Sequence, residues 1–170
     1  MEIITKNAKE TREFGEKIGS KLVGSVGDKE RSRGNIFGLV GDLGSGKTTF
    51  VQGLARGLGI KQRIISPTFI IMRSYRIKVK AQKSKLKAKS NNSKYTNFYH
   101  VDLYRLEGNI EKEITNLGLK EIWSESENIV AIEWAEKVKK LIPKNAIWIN
   151  FRNNGKGVRR IVVGDKYDNL

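Results

Sequence analysis

Eight consecutive residues, Gly41-Asp42-Leu43-Gly44-Ser45-Gly46-Lys47-Thr48, fit the spacing G-x-x-x-x-G-K-[ST], and their flanks restrict the fold still further. Asn35-Ile36-Phe37-Gly38-Leu39-Val40 is an apolar run of buried-strand length, and Thr48 to Ala55 places apolar residues at helical intervals. The spacing predicts a strand, a glycine-rich loop and a helix, in that order. In such a unit the backbone N–H groups from Gly44 to Thr48 converge on phosphate and the positive end of the helix dipole faces the same charge. Lys47 would reach the β- and γ-phosphates of ATP or GTP. The Thr48 hydroxyl would ligate Mg²⁺, a small hard cation that keeps several waters and takes few protein ligands. Asp42, Leu43, Ser45 and Thr49 complete the segment expected to wrap the nucleotide.

Composition narrows the setting. At 170 residues, 38% of them hydrophobic, the chain suits one globular domain spanning 1–170 that buries roughly 70% of its unfolded surface. There is no cysteine, which excludes a disulfide framework, a thiolate metal site and a cysteine nucleophile. The lone His100 argues against a histidine-rich metal centre. No apolar stretch approaches the roughly 18 to 20 residues that span a bilayer, and Met1 to Gly15 carries charges throughout, without an apolar signal core. A cytoplasmic location without membrane contact is the expectation.

The formal net charge is +15, enough to attract polyanions such as RNA or acidic protein surfaces. Residues 76–97 hold Arg76, Lys78, Lys80, Lys83, Lys85, Lys87, Lys89 and Lys94 with no Asp or Glu. With Ser84, Ser90, Asn91, Asn92 and Ser93 interspersed, this insertion reads as a Lys-rich loop or a hairpin with a basic face. A solvated loop without a specific partner and a contact with the RNA phosphate backbone are its two readings. No aromatic residue lies among the lysines before Tyr95, so base stacking by this loop is unsupported.

Elsewhere, Thr11 to Leu22 reads as an amphipathic helix through Phe14, Ile18 and Leu22, with Thr11 as its cap. Pro67 makes Arg63 to Met72 a loop entering a strand. Asn97 to Val101 and Ile129 to Ile132 are further strands, Ile110 to Trp123 is helical with a break at Gly118, and Ala146 to Phe151 with Arg160 to Val163 reads as a closing hairpin. The alternation predicts a three-layer α/β domain with a mostly parallel central sheet and some antiparallel strands late in the chain.

A phosphate loop needs a carboxylate near its magnesium, presented at the end of a neighbouring strand. Asp102 and Glu133 both end predicted strands. The fully apolar run before Glu133 favours it as the magnesium-side acid, which leaves Asp102 to orient the attacking water or a switch segment; the two roles could be exchanged. Trp134 is either a packing residue or a lid beside the nucleotide, and Ser66 and Thr68 offer hydroxyls to a γ-phosphate sensor. No arginine finger is identifiable.

Taken together, Gly41 to Thr49, Ser66-Pro67-Thr68-Phe69, His100-Val101-Asp102-Leu103-Tyr104-Arg105, Leu117-Gly118-Leu119 and Ile132-Glu133-Trp134 resemble, in order and spacing, the TsaE (YjeE) family of bacterial P-loop ATPases. The resemblance implies a Mg²⁺-dependent ATPase of tRNA threonylcarbamoyladenosine biosynthesis that acts on the TsaD–TsaB complex; the absent arginine finger makes slow hydrolysis by the chain alone the expectation. It implies that Lys47, Thr48 and Glu133 serve nucleotide and Mg²⁺, that Ser66, Pro67, Thr68 and Phe69 form a switch-like segment, that Asp102 and Trp134 are functionally required, and that Thr11 lies near the base. The Lys-rich stretch is longer and more basic than the family pattern, which leaves open contact with tRNA, with the partner proteins or with neither. Two other readings share the phosphate loop: a small-molecule kinase, and an RNA-binding module with a structural nucleotide.

Overall fold

The computed structural model describes residues 1–24, 35–77 and 94–164. Residues 78–93, most of the basic insertion expected at about 76–97, lie outside the described residues. The elements are β1 (Glu2–Thr5), α1 (Ala8–Gly24), β2 (Ile36–Val40), α2 (Lys47–Gly57), β3 (Met72–Arg76), β4 (Asn97–Asp102), α3 (Ile110–Asn116), α4 (Leu119–Ser124), β5 (Asn128–Glu133), a 3-10 turn (Ala135–Val138), β6 (Ile147–Asn153) and β7 (Arg159–Gly164).

The seven strands form one sheet in the order β1-β7-β6-β2-β5-β4-β3. Its centre, β6, β2, β5 and β4, is parallel. The flanks are antiparallel: β7 turns back on β6 as the expected closing hairpin, β1 pairs with β7, and β3 pairs with β4. Side chains alternate across the sheet. Phe37 and Leu39 of β2 meet Phe50, Val51 and Leu54 of α2 on one face. Ile36 and Val40 join Val101, Ile114, Leu119 and Trp123 on the other. Each face carries its own helices, which gives the three layers.

Helix α1 begins earlier than the sequence suggests, and Thr11 is not its cap. Asn7 Oδ1 accepts the N–H of Glu10 at 2.9 Å, and the Glu10 carboxylate accepts the N–H of Lys6 at 2.7 Å. The first bond caps the helix from Asn7, and the second ties the residue before that cap back to the first turn. The helix then packs on α2 almost backbone to backbone. Gly15 and Gly19 of α1 and Gly53 and Gly57 of α2 each sit where a Cβ would overlap a carbonyl of the opposite helix: Phe50, Leu54, Arg12 and Glu16, respectively. Only glycine allows that approach. It seats α2, and with it the phosphate loop, firmly against α1.

Candidate nucleotide site

The site forms at the carboxyl edge of the parallel strands. In register, Leu39 of β2 faces Glu133 of β5, and Glu133 faces Asp102 of β4, so both strand-end carboxylates emerge beside the loop that leaves β2. A buried apolar face thus becomes polar at its last positions: Phe98, His100, Asp102 along β4 and Ile129, Ala131, Glu133 along β5.

The cavity, about 320 Å³, is lined by Leu43, Gly44, Gly46, Lys47, Thr48, Thr49, Ser66, Thr68, Asp102, Tyr104, Glu133 and Trp134. At its floor Gly46 is the N-cap of α2 at φ 106°, and with no side chain of its own to accept them it leaves the first N–H groups of the helix open to a ligand. The Lys47 ammonium is buried, donating to the carbonyls of Gly41 at 2.5 Å and Asp42 at 2.9 Å. It lies 4.0 Å from the centre of the Trp134 ring. Burial pushes the pKa of Lys47 below its ordinary value, against the pull of Glu133, Glu136, Asp102 and Asp42. An anion in the cavity would offset that cost by its opposite charge.

The two acids have separate partners. Thr48 Oγ1 donates to Glu133, 2.9 Å from each carboxylate oxygen, and His100 Nε2 lies 2.8 Å from Glu133 Oε1. Asp102 Oδ2 accepts the hydroxyls of Ser66 and Thr68, each at 2.5 Å, and Oδ1 accepts the N–H of Tyr104 at 3.0 Å. Glu133 is therefore joined to the phosphate loop and Asp102 to the Ser66–Phe69 segment. That segment runs into Ile71, which holds φ 65°, and Trp134 directly after β5 holds φ 60°. The left-handed region is costly for non-glycine residues, above all a β-branched one, so strain borders the cavity on two sides.

Not every residue singled out by sequence reaches this cavity. Asp42 contributes its carbonyl to Lys47, and Ser45 is buried beneath the loop. Phe69 is 80% exposed, outside the lining, with the Arg105 guanidinium 4.2 Å over its ring. Thr11 is not brought to the site: it is fully buried, its hydroxyl 2.8 Å from that of Thr5 and donating to the Asn7 carbonyl. Trp134 packs partly against the second core and also lines the cavity, where its ring stands 5.1 Å from that of Tyr104.

Three features escaped the sequence reading. His100 touches Glu133, Tyr104 lines the cavity, and Glu136 stands close enough to Lys47 and Asp42 to interact with both charges. Period-two alternation from Asp102 back to His100 was the available signal for the first.

A glycine cradle at the head of a helix, seated at the carboxyl edge of parallel strands, assigns this fold to the P-loop class of α/β proteins. The chain belongs to the TsaE family, since residues 5–161 match the family model described as threonylcarbamoyl adenosine biosynthesis protein TsaE. It is 34% identical over 140 residues to the tRNA threonylcarbamoyladenosine biosynthesis protein TsaE of Bacillus subtilis, covering 81% of this chain and 75% of that one. The protein of the same name from Treponema pallidum is 30% identical over 163 residues, covering 96% and 99%. A crystal structure of Bacillus subtilis YdiB superposes with a TM-score of 0.59 at 28% identity, covering 99% of this chain and 88% of that one. No helix among the described residues is long and apolar enough to cross a membrane.

Proposed function

We propose that the chain is the Mg²⁺-dependent, ATP-binding and ATP-hydrolysing subunit required for N6-threonylcarbamoyl modification of adenosine 37 in tRNA, and that it acts in the cytoplasm on a complex of TsaD and TsaB. The observation that carries the reading is the hydrogen bond from Thr48 to both oxygens of Glu133, beside the buried Lys47 ammonium and an uncapped helix start. The residues fit the groups they would hold. Thr48 can turn its oxygen to Mg²⁺ with its O–H still within reach of Glu133, and Lys47 with the loop N–H groups can hold the β- and γ-phosphates. Bound Mg²⁺ would neutralise charge on the phosphate oxygens. Asp102 keeps Ser66 and Thr68 at the cavity, where their hydroxyls can follow the terminal phosphate.

Partner dependence has its own support. Leu43, Ile65, Phe69, Ile70 and Tyr104 are large apolar or aromatic side chains exposed on the loops that build the cavity or adjoin it. Apolar surface concentrated around a reactive site suits a partner that closes it. The reading is tested by ATP hydrolysis with Mg²⁺, measured for the chain alone and with TsaD and TsaB added. Slow turnover alone and marked stimulation by the pair are expected. Fast turnover alone, or ATP binding with no stimulation by active partners, would count against it.

A further inference from the structure

The lone histidine of the chain, His100, is fully buried on β4, and its Nε2 lies 2.8 Å from Oε1 of Glu133. It does not line the cavity, so whatever it does there passes through Glu133. The two residues sit on adjacent parallel strands, where His100 is paired with Ala131 and Glu133 is the next residue on the same face. We propose that His100 is a positioning residue, which donates from Nε2 to Glu133 and holds that carboxylate toward Thr48 and the metal position. The proposal rests on the nucleotide reading given above.

The hydrogen-bond network fixes which nitrogen carries the proton. Glu133 accepts the Thr48 hydroxyl on both of its oxygens, so Oε1 and Oε2 both act as acceptors in this geometry. An acceptor oxygen needs a donor opposite it, so the nitrogen facing Oε1 must donate. Nδ1 of His100 is buried and has no hydrogen-bond partner among the described residues. With the proton on Nε2, Nδ1 is a bare acceptor; with the proton on Nδ1, a buried N–H would be orphaned and two acceptors would face each other. The Nε2–H form is the consistent one.

The consequence concerns orientation. When the Thr48 oxygen turns to a cation, its bond to Glu133 must adjust, whereas the His100 bond comes from below and need not change. Glu133 is thus held from the side that the ligand does not touch, as outer-shell donors hold metal ligands elsewhere.

Because the sequence holds one histidine, an imidazole ¹H–¹⁵N correlation spectrum of the uniformly labelled full chain reports this residue alone. A protonated Nε2 is expected, and a bare Nε2 would overturn the proposal whether or not nucleotide binds. The second measurement is calorimetric affinity for ADP with and without Mg²⁺ in His100→Leu and His100→Gln, the latter keeping an N–H near the Nε2 position. His100→Leu should lose about 10- to 100-fold in the Mg²⁺-dependent affinity, with the Mg²⁺-free affinity little changed, and His100→Gln should recover most of it. A folded His100→Leu chain with unaltered Mg²⁺ dependence, or a folded His100→Gln chain as impaired as His100→Leu, would overturn it. Failure of the unaltered chain to bind nucleotide would instead remove the function proposed above, leaving the spectrum to decide the histidine.

Discussion

The hydroxyl of Thr48 stands 2.9 Å from each carboxylate oxygen of Glu133, tying the second residue of α2 to the last residue of β5. That one bond joins the phosphate loop to the neighbouring strand. Hydrogen bonds to charged groups contribute about 1.5 to 3 kcal/mol, roughly a 10- to 150-fold change in an equilibrium. Thr48→Ala and Glu133→Gln should each lower Mg²⁺-dependent ATP affinity by about that factor, with Thr48→Ser close to the parent. Calorimetric titration with and without Mg²⁺ is the check; unchanged Mg²⁺ dependence in both would dismiss the pair as metal machinery.

Asp102 Oδ2 is shared by two hydroxyls from one short segment, those of Ser66 and Thr68. Asp102→Asn replaces the charge with an amide that offers one acceptor oxygen, and the segment should loosen. Backbone hydrogen exchange over 65–71 is expected to accelerate by roughly tenfold or more, as for loss of one charged hydrogen bond. Protection equal to that of the parent chain would mean that Asp102 does not order this loop.

Gly53 of α2 packs beneath the Arg12 carbonyl of α1. Alanine gains about 1 kcal/mol of helix propensity over glycine, but here its Cβ must push two helices apart, and overpacking costs about 1 to 3 kcal/mol or more. The overlap is with backbone, which cannot swing aside as a side chain would, so the cost should win. Gly53→Ala is expected to lower Tm by a few degrees in a thermal melt. An unchanged or raised Tm would show that the helices separate freely.

Glu136 is half-buried, and its Oε2 has no hydrogen-bond partner among the described residues. Burial pushes its pKa above the ordinary 4.5, outweighing its own backbone hydrogen bond, Lys47 and Lys137, while Asp42 adds to the rise. For an acid raised in the folded state, the stabilising contribution is full below the unfolded pKa and is lost as pH rises through the folded value. Glu136→Gln stays neutral throughout. Its Tm relative to the parent should therefore climb as pH is raised from about 4 to 7. A difference that stays flat or falls over that range would contradict the assignment.

Local pattern carried much of this architecture. The β2–loop–α2 unit was legible because its apolar period changes from strand to helix across a glycine-rich turn, and Gly118 marked the α3–α4 break because φ 64° suits glycine. Asp102 and Glu133 were visible as strand ends. Their partners were not, since register between strands far apart in sequence leaves no local trace: His100 meets Glu133 across 33 residues and Thr48 meets it across 85. Strand β1 was missed for a similar reason. It is a short edge strand carrying charge, held by pairing with β7 and by the bidentate Glu2–Arg160 contact rather than by an apolar period. Thr11 was misjudged as a cap because Asn7, four residues upstream, forms a better one with Glu10.

Strands β3 and β4 are antiparallel neighbours, with Arg76 facing Asn97 and the Ile77 N–H bonded to the Thr96 carbonyl at 2.9 Å. The two ends of the lysine-rich stretch accordingly leave the sheet side by side, at the end of β4 remote from Asp102. Five residue steps of about 3.3 Å each separate the exit from the carboxylate, or about 17 Å. Insertions, deletions and changes of charge at that exit leave the register of β4 against β5 intact. The carboxylates at the opposite rim are thus insulated by the length of β4 from the point where the chain leaves at Ile77 and returns at Thr96.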